Sequence, residues 1–353
     1  MLEIADGAVR AYYLFDVADT IDLRALTALG TQSPAAVAYL HFAVPPITAS
    51  LGDADIAGMG CSVRLKLYDY GVMSLRLTFP ANGSWNAFAA IANRVRTDEA
   101  ASRFAEATVL RIRDEYAHAF DEPHDPLIED YFALEIGRFR EEIDAQTLLA
   151  EHRIEIANVL AGEQKRLSNS ETEETLRTRF SYHEDDLTIV QWDTAFVYDR
   201  ADSARAIQDI LEFANSQLLE LRTYDALLDR ELDAIYKLQP GRPSRSLRGS
   251  REAERAATLR YLIVDVLELM DRSSNALKVV GDAYYARIYR SAAARLGLGD
   301  WQRQIDAKLA SVGDMYRFFS DQARSSRDEF LEIIIIVLIA LELLVGLATL
   351  FHR

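Results

Sequence analysis

Glu342 is the residue whose chemistry stands out first, because it lies in the middle of an otherwise apolar run. Ile333–Phe351 is 19 residues long and apolar except for Glu342 and Thr349. A carboxylate in such surroundings must be protonated, paired, or turned towards another helix. Nothing else in the run can pair with it, so the expected role is self-association through Glu342, with Gly346 allowing close helix approach. A ring of such carboxylates in a channel-like assembly is the alternative, and a neutral glutamate tolerated in place is the ordinary explanation. Two clusters could be imagined as metal sites: His118 and His124 with Asp121, Glu122 and Asp125, and the run His183-Glu-Asp-Asp186. Neither has the His-x-x-x-His spacing or paired ligands of a zinc site, and acidic solvated loops explain both. Gly58-Met-Gly60 precedes a strand, the wrong context for cradling phosphate. No catalytic, cofactor-binding or metal-ligating residue is therefore assigned, no cofactor is expected, and a metal- or nucleotide-dependent enzyme is a minority reading.

The elements that position these residues fall into two patterns. The first 200 residues read as an α+β domain. Ala8–Phe15 reads as a strand, and Asp19 or Thr20 as the cap of a short helix through Leu29. Val63, Leu65 and Leu67 alternate with Arg64, Lys66 and Tyr68. After Asp69-Tyr70-Gly71, Met73, Leu75, Leu77 and Phe79 alternate with Ser74, Arg76 and Thr78. Period-two alternation on both sides of a glycine break predicts a β-hairpin. Helix is expected from about Ser84 to Ala119, ending at the acidic, proline-containing break Asp121–Pro126. A strand near Tyr131–Phe139, helices within 145–178 and a strand pair across 179–198 complete this domain.

From residue 201 the pattern changes to long helices. Leu211, Ala214, Leu218, Leu221, Asp225, Leu228, Leu232 and Ile235 step by threes and fours. So do Leu259–Val280 and Ile305–Phe330. These seams predict a coiled-coil bundle over 201–330, with a globular helical core as the plainer reading. A break near Val280-Gly281-Asp282 would leave Ala283–Leu296 as a separate short helix. As a helix, Ile333–Phe351 would be ~28 Å long, close to the ~30 Å core of a bilayer. The expectation is thus a single-pass C-terminal transmembrane anchor at 331–351. Arg242, Arg245, Arg248 and Arg251 of a glycine- and proline-rich connector, with Arg324 and Arg327, are expected at the membrane surface.

Several segments together resemble the required-for-meiotic-nuclear-division family. They are Val9-Arg-Ala-Tyr-Tyr13 followed by Ile21-Asp-Leu23, the hairpin Tyr68-Asp-Tyr-Gly-Val72, and the strand Asp186–Asp193. The helix Leu211–Asp225 and the terminal run Phe330–Glu342 complete the set, which spans nearly the whole chain. The resemblance implies a membrane-anchored homo-oligomer that tethers partners and has no established catalysis. Some family members sit in the mitochondrial inner membrane and support translation there. The N-terminus of this chain lacks transit-peptide character, so a bacterial inner membrane with the body in the cytoplasm is the expected home.

Composition bounds the partners. Net charge is −16 from 39 basic and 55 acidic residues, which argues against broad binding of nucleic acid or ribosome. Cys61 is the only cysteine, so no internal disulfide forms. The sequence alone therefore leads to a membrane-anchored homo-oligomeric scaffold, with the lipid bilayer, other copies of itself and an unidentified protein as partners.

Overall fold

The computed structural model describes residues 2–29, 31–32, 42, 44–237, parts of 254–267, and 282–351. Two compact units are present, Met1–Thr223 with Ser274–Gln302, and Tyr224–Ser273 with Arg303–Arg353. The boundary of the first thus falls inside a helix.

The first unit is built on one mixed sheet. Its strands are β1 (Glu3–Ile21), β2 (Thr31–Gln32), β3 (Ile47–Ile56), β4 (Met59–Leu67), β5 (Val72–Pro80), β6 (Gly83–Ser84), β7 (Phe120–Phe139), β8 (Arg179–Phe180), β9 (Leu187–Val190) and β10 (Thr194–Tyr198). The order is β2-β3-β4-β5-β1-β7-β10-β9-β8, with β6 beside β1. All described pairs are antiparallel except β7 with β10. At the β3 side, among the described residues, only Thr31 and Gln32 pair along the outer edge, and β3 carries a bulge between Ser50 and Gly52.

One face of this sheet is apolar. Val9, Ala11, Tyr13, Phe15 and Val17 of β1 point into it, as do Val63, Leu65, Leu67, Leu75, Leu77 and Phe79. Helices α1 (Trp85–Thr97), α2 (Glu99–Glu115) and α3 (Ala145–Ala161) cover it with stripes at helical spacing: Phe88, Ala92 and Val95, then Ala101, Ala105, Val109 and Ile112, then Leu148, Ile156 and Leu160. The helical stretch expected from Ser84 to about Ala119 is divided at Asp98, whose carboxylate accepts the Ala100 N–H and caps α2. Helix α4 (Asn169–Thr175) follows α3.

The hairpin forms as the alternation predicts, with Leu67 opposite Met73 and Val63 opposite Leu77. Two other expectations are corrected. No helix follows Thr20: β1 continues to Ile21 and residues 23–29 are turns. The acidic segment Asp121–Pro126 is strand, with Pro123 opposite Ala18. β10 pairs only with residues 132–136 of β7, so among the described residues this end of β7 has no strand on its outer side and proline withholds no needed N–H.

The long helices are α5 (Ala201–Lys237), α6 (Ala283–Arg295) and α7 (Leu298–Phe351). The α6 start is capped by Asp282, which accepts the Tyr284 and Tyr285 N–H groups. The expected coiled-coil bundle is not present among the described residues. The first half of its leading seam, Leu211, Ala214, Leu218 and Leu221, is buried within the sheet unit instead. A stripe of threes and fours serves a helix packed on a sheet as well as one packed on helices. The transmembrane anchor is also overturned: among the described residues no helix is long and apolar enough to cross a membrane. The fold is therefore mixed α/β without that anchor, and single-pass placement in a bacterial inner membrane falls with it.

Candidate functional site

The sheet face opposite the apolar core is polar, and α5 lies over it. Strand alternation sends Arg10 and Tyr12 of β1, Arg64 and Lys66 of β4, Ser74, Arg76 and Thr78 of β5, and Glu129 and Glu135 of β7 to this side. Cross-strand register sets them in rows: Arg10 opposite Thr78, Tyr12 opposite Arg76, and Arg76 opposite Arg64, with Ser74 opposite Lys66. From α5, Arg205, Gln208, Asp209, Glu212, Asn215, Ser216 and Arg222 supply a polar stripe at helical spacing.

Lys66 is the centre of one half. It is 7% exposed, and its ammonium donates to Asp209 at 2.7 Å and to Glu212. Burial presses the ammonium to discharge, but Asp209 and Glu212 outweigh it and hold its pKa above the ordinary lysine value. Nearby, Tyr70 and Ser216 share a hydrogen bond of 2.8 Å, and Tyr68 stacks on Tyr70. The tight turn that presents these tyrosines depends on Gly71. Its φ is +93°, and a Cβ there would lie 1.8 Å from the Ala18 carbonyl oxygen.

The other half is rich in arginine. Arg10 donates to Glu135 at 2.5 Å and to Thr78 at 3.1 Å, and Gln208 also donates to Glu135. The Arg76 guanidinium lies over the Tyr12 ring at 5.9 Å, while its Nε is buried without an acceptor among the described residues. Burial pushes the Tyr12 hydroxyl up to about 12, with Arg76 and Arg10 opposing it. Arg64 is shifted the other way: burial, then repulsion from Arg76, Arg205 and Arg10, lowers its pKa. In this layer Arg10 is paired with Glu135, Lys66 with Asp209 and Glu212, and Arg222 with Glu129, while Tyr12, Glu212 and Asp209 attract Arg76 and raise its pKa against burial.

The residues singled out by sequence lie elsewhere. His124, on β7, approaches Asp16 at 3.3 Å beside a cleft of about 450 Å³ that Arg113, Phe120 and Asp125 help to line. His118 lies in the short turn of helix before that strand. Asp186 accepts the N–H groups of Tyr182 and His183, at 2.8 and 2.6 Å, so the acidic run His183–Asp186 closes a turn. No group of three or more His, Cys, Asp or Glu side chains that could hold a metal occurs among the described residues. Glu342, Gly346, Arg324 and Arg327 are on α7, and their surroundings lie outside the described residues, as do Arg242, Arg245, Arg248 and Arg251 altogether. Sequence reasoning missed the polar layer. Its signal was present in the charges on the alternate positions of the hairpin and in the stripe Gln208, Asp209, Glu212, Asn215.

Comparison with known proteins bears on the sheet unit. Residues 6–204 match the family described as "Uncharacterized protein MJ0711, N-terminal domain", more than half of the chain. A relative of that name from Methanocaldococcus jannaschii is 24% identical over 211 residues, 60% of this chain. This chain spans 64% of that relative's length. No solved structure matches. The match takes in the sheet side of the polar layer and stops just before Arg205, the first α5 residue in it. By its sheet domain, the chain belongs to the MJ0711 N-terminal domain family.

Proposed function

We propose that this protein is a non-enzymatic scaffold that acts as a homo-oligomer, with α7 as its assembly helix. One observation supports the reading. Ile335, Ile336, Val337, Leu338 and Ile339 follow one another on α7, and each is 52–59% exposed. Successive helical residues point 100° apart, so these five look out in every direction. A helix apolar on all sides requires neighbours on all sides. A bundle made of the same helix from several copies supplies them with one sequence, and closed symmetric assemblies are the usual form of such contacts. The resemblance to the required-for-meiotic-nuclear-division family implies the same kind of role. A helix of 54 residues also reaches ~80 Å, which suits a protein that holds partners apart or together.

The test is the mass of the full chain in a mild non-ionic detergent, measured by light scattering. The expected result is a discrete oligomer that becomes a monomer in the Ile336→Asp/Ile339→Asp variant. A monodisperse wild-type monomer at micromolar concentration would overturn the proposal.

A further inference from the structure

We propose that His124 is a pH-sensitive latch, which fastens the bulged segment Asp121–Pro126 of β7 to β1 and releases it as pH rises. Leu127 stands opposite Asp16 and Pro123 opposite Ala18, so His124, Asp125 and Pro126 all lie against Val17 alone. Glu122 has φ +46°, a left-handed conformation that disfavours any residue with a side chain. A bulge of this kind interrupts the backbone ladder, so side chains must hold it in place. Among the described residues two do so from outside the strand. Arg113 of α2 donates to the His124 carbonyl at 3.0 Å, and Asp16 of β1 meets His124 Nε2 at 3.3 Å.

The imidazole is placed so that its charge matters. Nε2 faces the Asp16 carboxylate, and Nδ1 faces the Asp125 carbonyl, also at 3.3 Å. Both neighbours only accept hydrogen bonds, so serving both takes two N–H groups, and only the imidazolium has two. Asp16 is 3% exposed, and among the described residues no other cation pairs with it. The other charged groups around the ring are Asp19 on β1 and, lining the same cleft, Arg113 and Asp114 of α2, which pair with each other at 3.3 Å. The surroundings are therefore acidic on balance and favour the charged ring. With both nitrogens engaged, neither is open to act on a molecule in the cleft.

The direction follows from linkage. The Asp16 hydrogen bond outweighs burial and holds the His124 pKa above the ordinary histidine value of ~6.5. A group raised on folding contributes its stability in full below the unfolded value and loses it as pH rises through the folded one. Loss of the proton sets an acceptor nitrogen against an acceptor oxygen and leaves Asp16 buried beside a neutral ring. From Leu127 to Ile136 the pairing of β7 with β1 is regular, so the release ends there.

Hydrogen exchange of the full chain, followed by mass spectrometry at pH 6 and pH 8.5 and corrected for intrinsic rates, tests the latch. In the wild type, protection of residues 120–127 relative to the hairpin 63–79 is expected to fall about threefold or more at the higher pH, the size expected of one partly screened ion pair. His124→Gln should show the weaker protection at both pH values, with the hairpin unchanged. Asp16→Asn should lose the pH response too, and it replaces His124→Gln in the test if that variant does not fold. Equal relative protection of the wild-type segment at both pH values would rule the latch out, as would a pH response retained by either folded variant.

Discussion

Removing the Lys66 charge should unfold the polar layer from its centre, and Lys66→Met is the cleanest way to do it. Methionine keeps the length of the side chain and leaves the packing on Ser74 and Tyr68 nearly filled. What it removes is the only ion-pair partner described for Asp209 and for Glu212, which are 8% and 2% exposed. Two buried carboxylates would then stand one helical turn apart, with Arg76 as a cation still acting on both and no ion-pair partner described for either. Breaking a buried ion pair by deleting one partner costs about 3–5 kcal/mol, and at such low exposure little of this is lost to solvent screening. The assay is urea denaturation of both proteins at pH 7. Adding Glu212→Gln to Lys66→Met should recover part of the loss, because it removes one of the two unpaired charges. A deficit below about 1 kcal/mol, or no recovery in the double variant, would show that water or rearrangement screens the trio and would refute the buried-charge account.

Two further outcomes follow from the same geometry. Gly71→Ala should destabilise by more than about 2 kcal/mol, because a positive φ and a Cβ against the Ala18 oxygen both penalise it; urea unfolding of the variant checks this. Burial, with Asp186 and Asp185 adding to it, pushes the half-buried Asp199 up to about 6. Its folded pKa lies above the unfolded value of ~3.9, so folding favours the protonated form, and its effect on stability worsens as pH rises from about 4 to about 6. Asp199→Asn should therefore stabilise the fold by about 1 kcal/mol at pH 7, after discounting for solvent, and should leave stability at pH 4 nearly unchanged. Equal Tm values for the two proteins at pH 7 would contradict it.

Much of the sheet was legible because its apolar face writes itself as period two. Val63, Leu65 and Leu67 against Met73, Leu75 and Leu77 allowed one register for burial, and the hairpin adopts it. Their alternate positions are less informative. The alternation puts Arg64, Lys66 and Arg76 on the other side of the strands and says nothing about what covers that side. Only the complementary acids at Asp209 and Glu212, about 140 residues later, tell that the face is covered, and no local pattern links the two segments. The helix seam at Leu211, Ala214, Leu218 and Leu221 failed for a related reason: the spacing defines an apolar stripe and leaves its partner open. The strand at Asp121–Pro126 was hidden by prolines that an edge position tolerates.

The sheet's ends have a consequence for how this protein can meet other molecules. Among the described residues, it finishes in strands of two residues each, Thr31–Gln32 and Arg179–Phe180. Beyond β2, the outer rim of β3 is bent by the bulge at Ser50/Gly52 and carries Asp53 and Asp55 in exposed positions. Along this edge, among the described residues, a strand from another chain would meet only short, kinked or negatively charged stretches to hydrogen-bond along. This edge is thus a poor template for growth into fibrils or for swapping strands between copies.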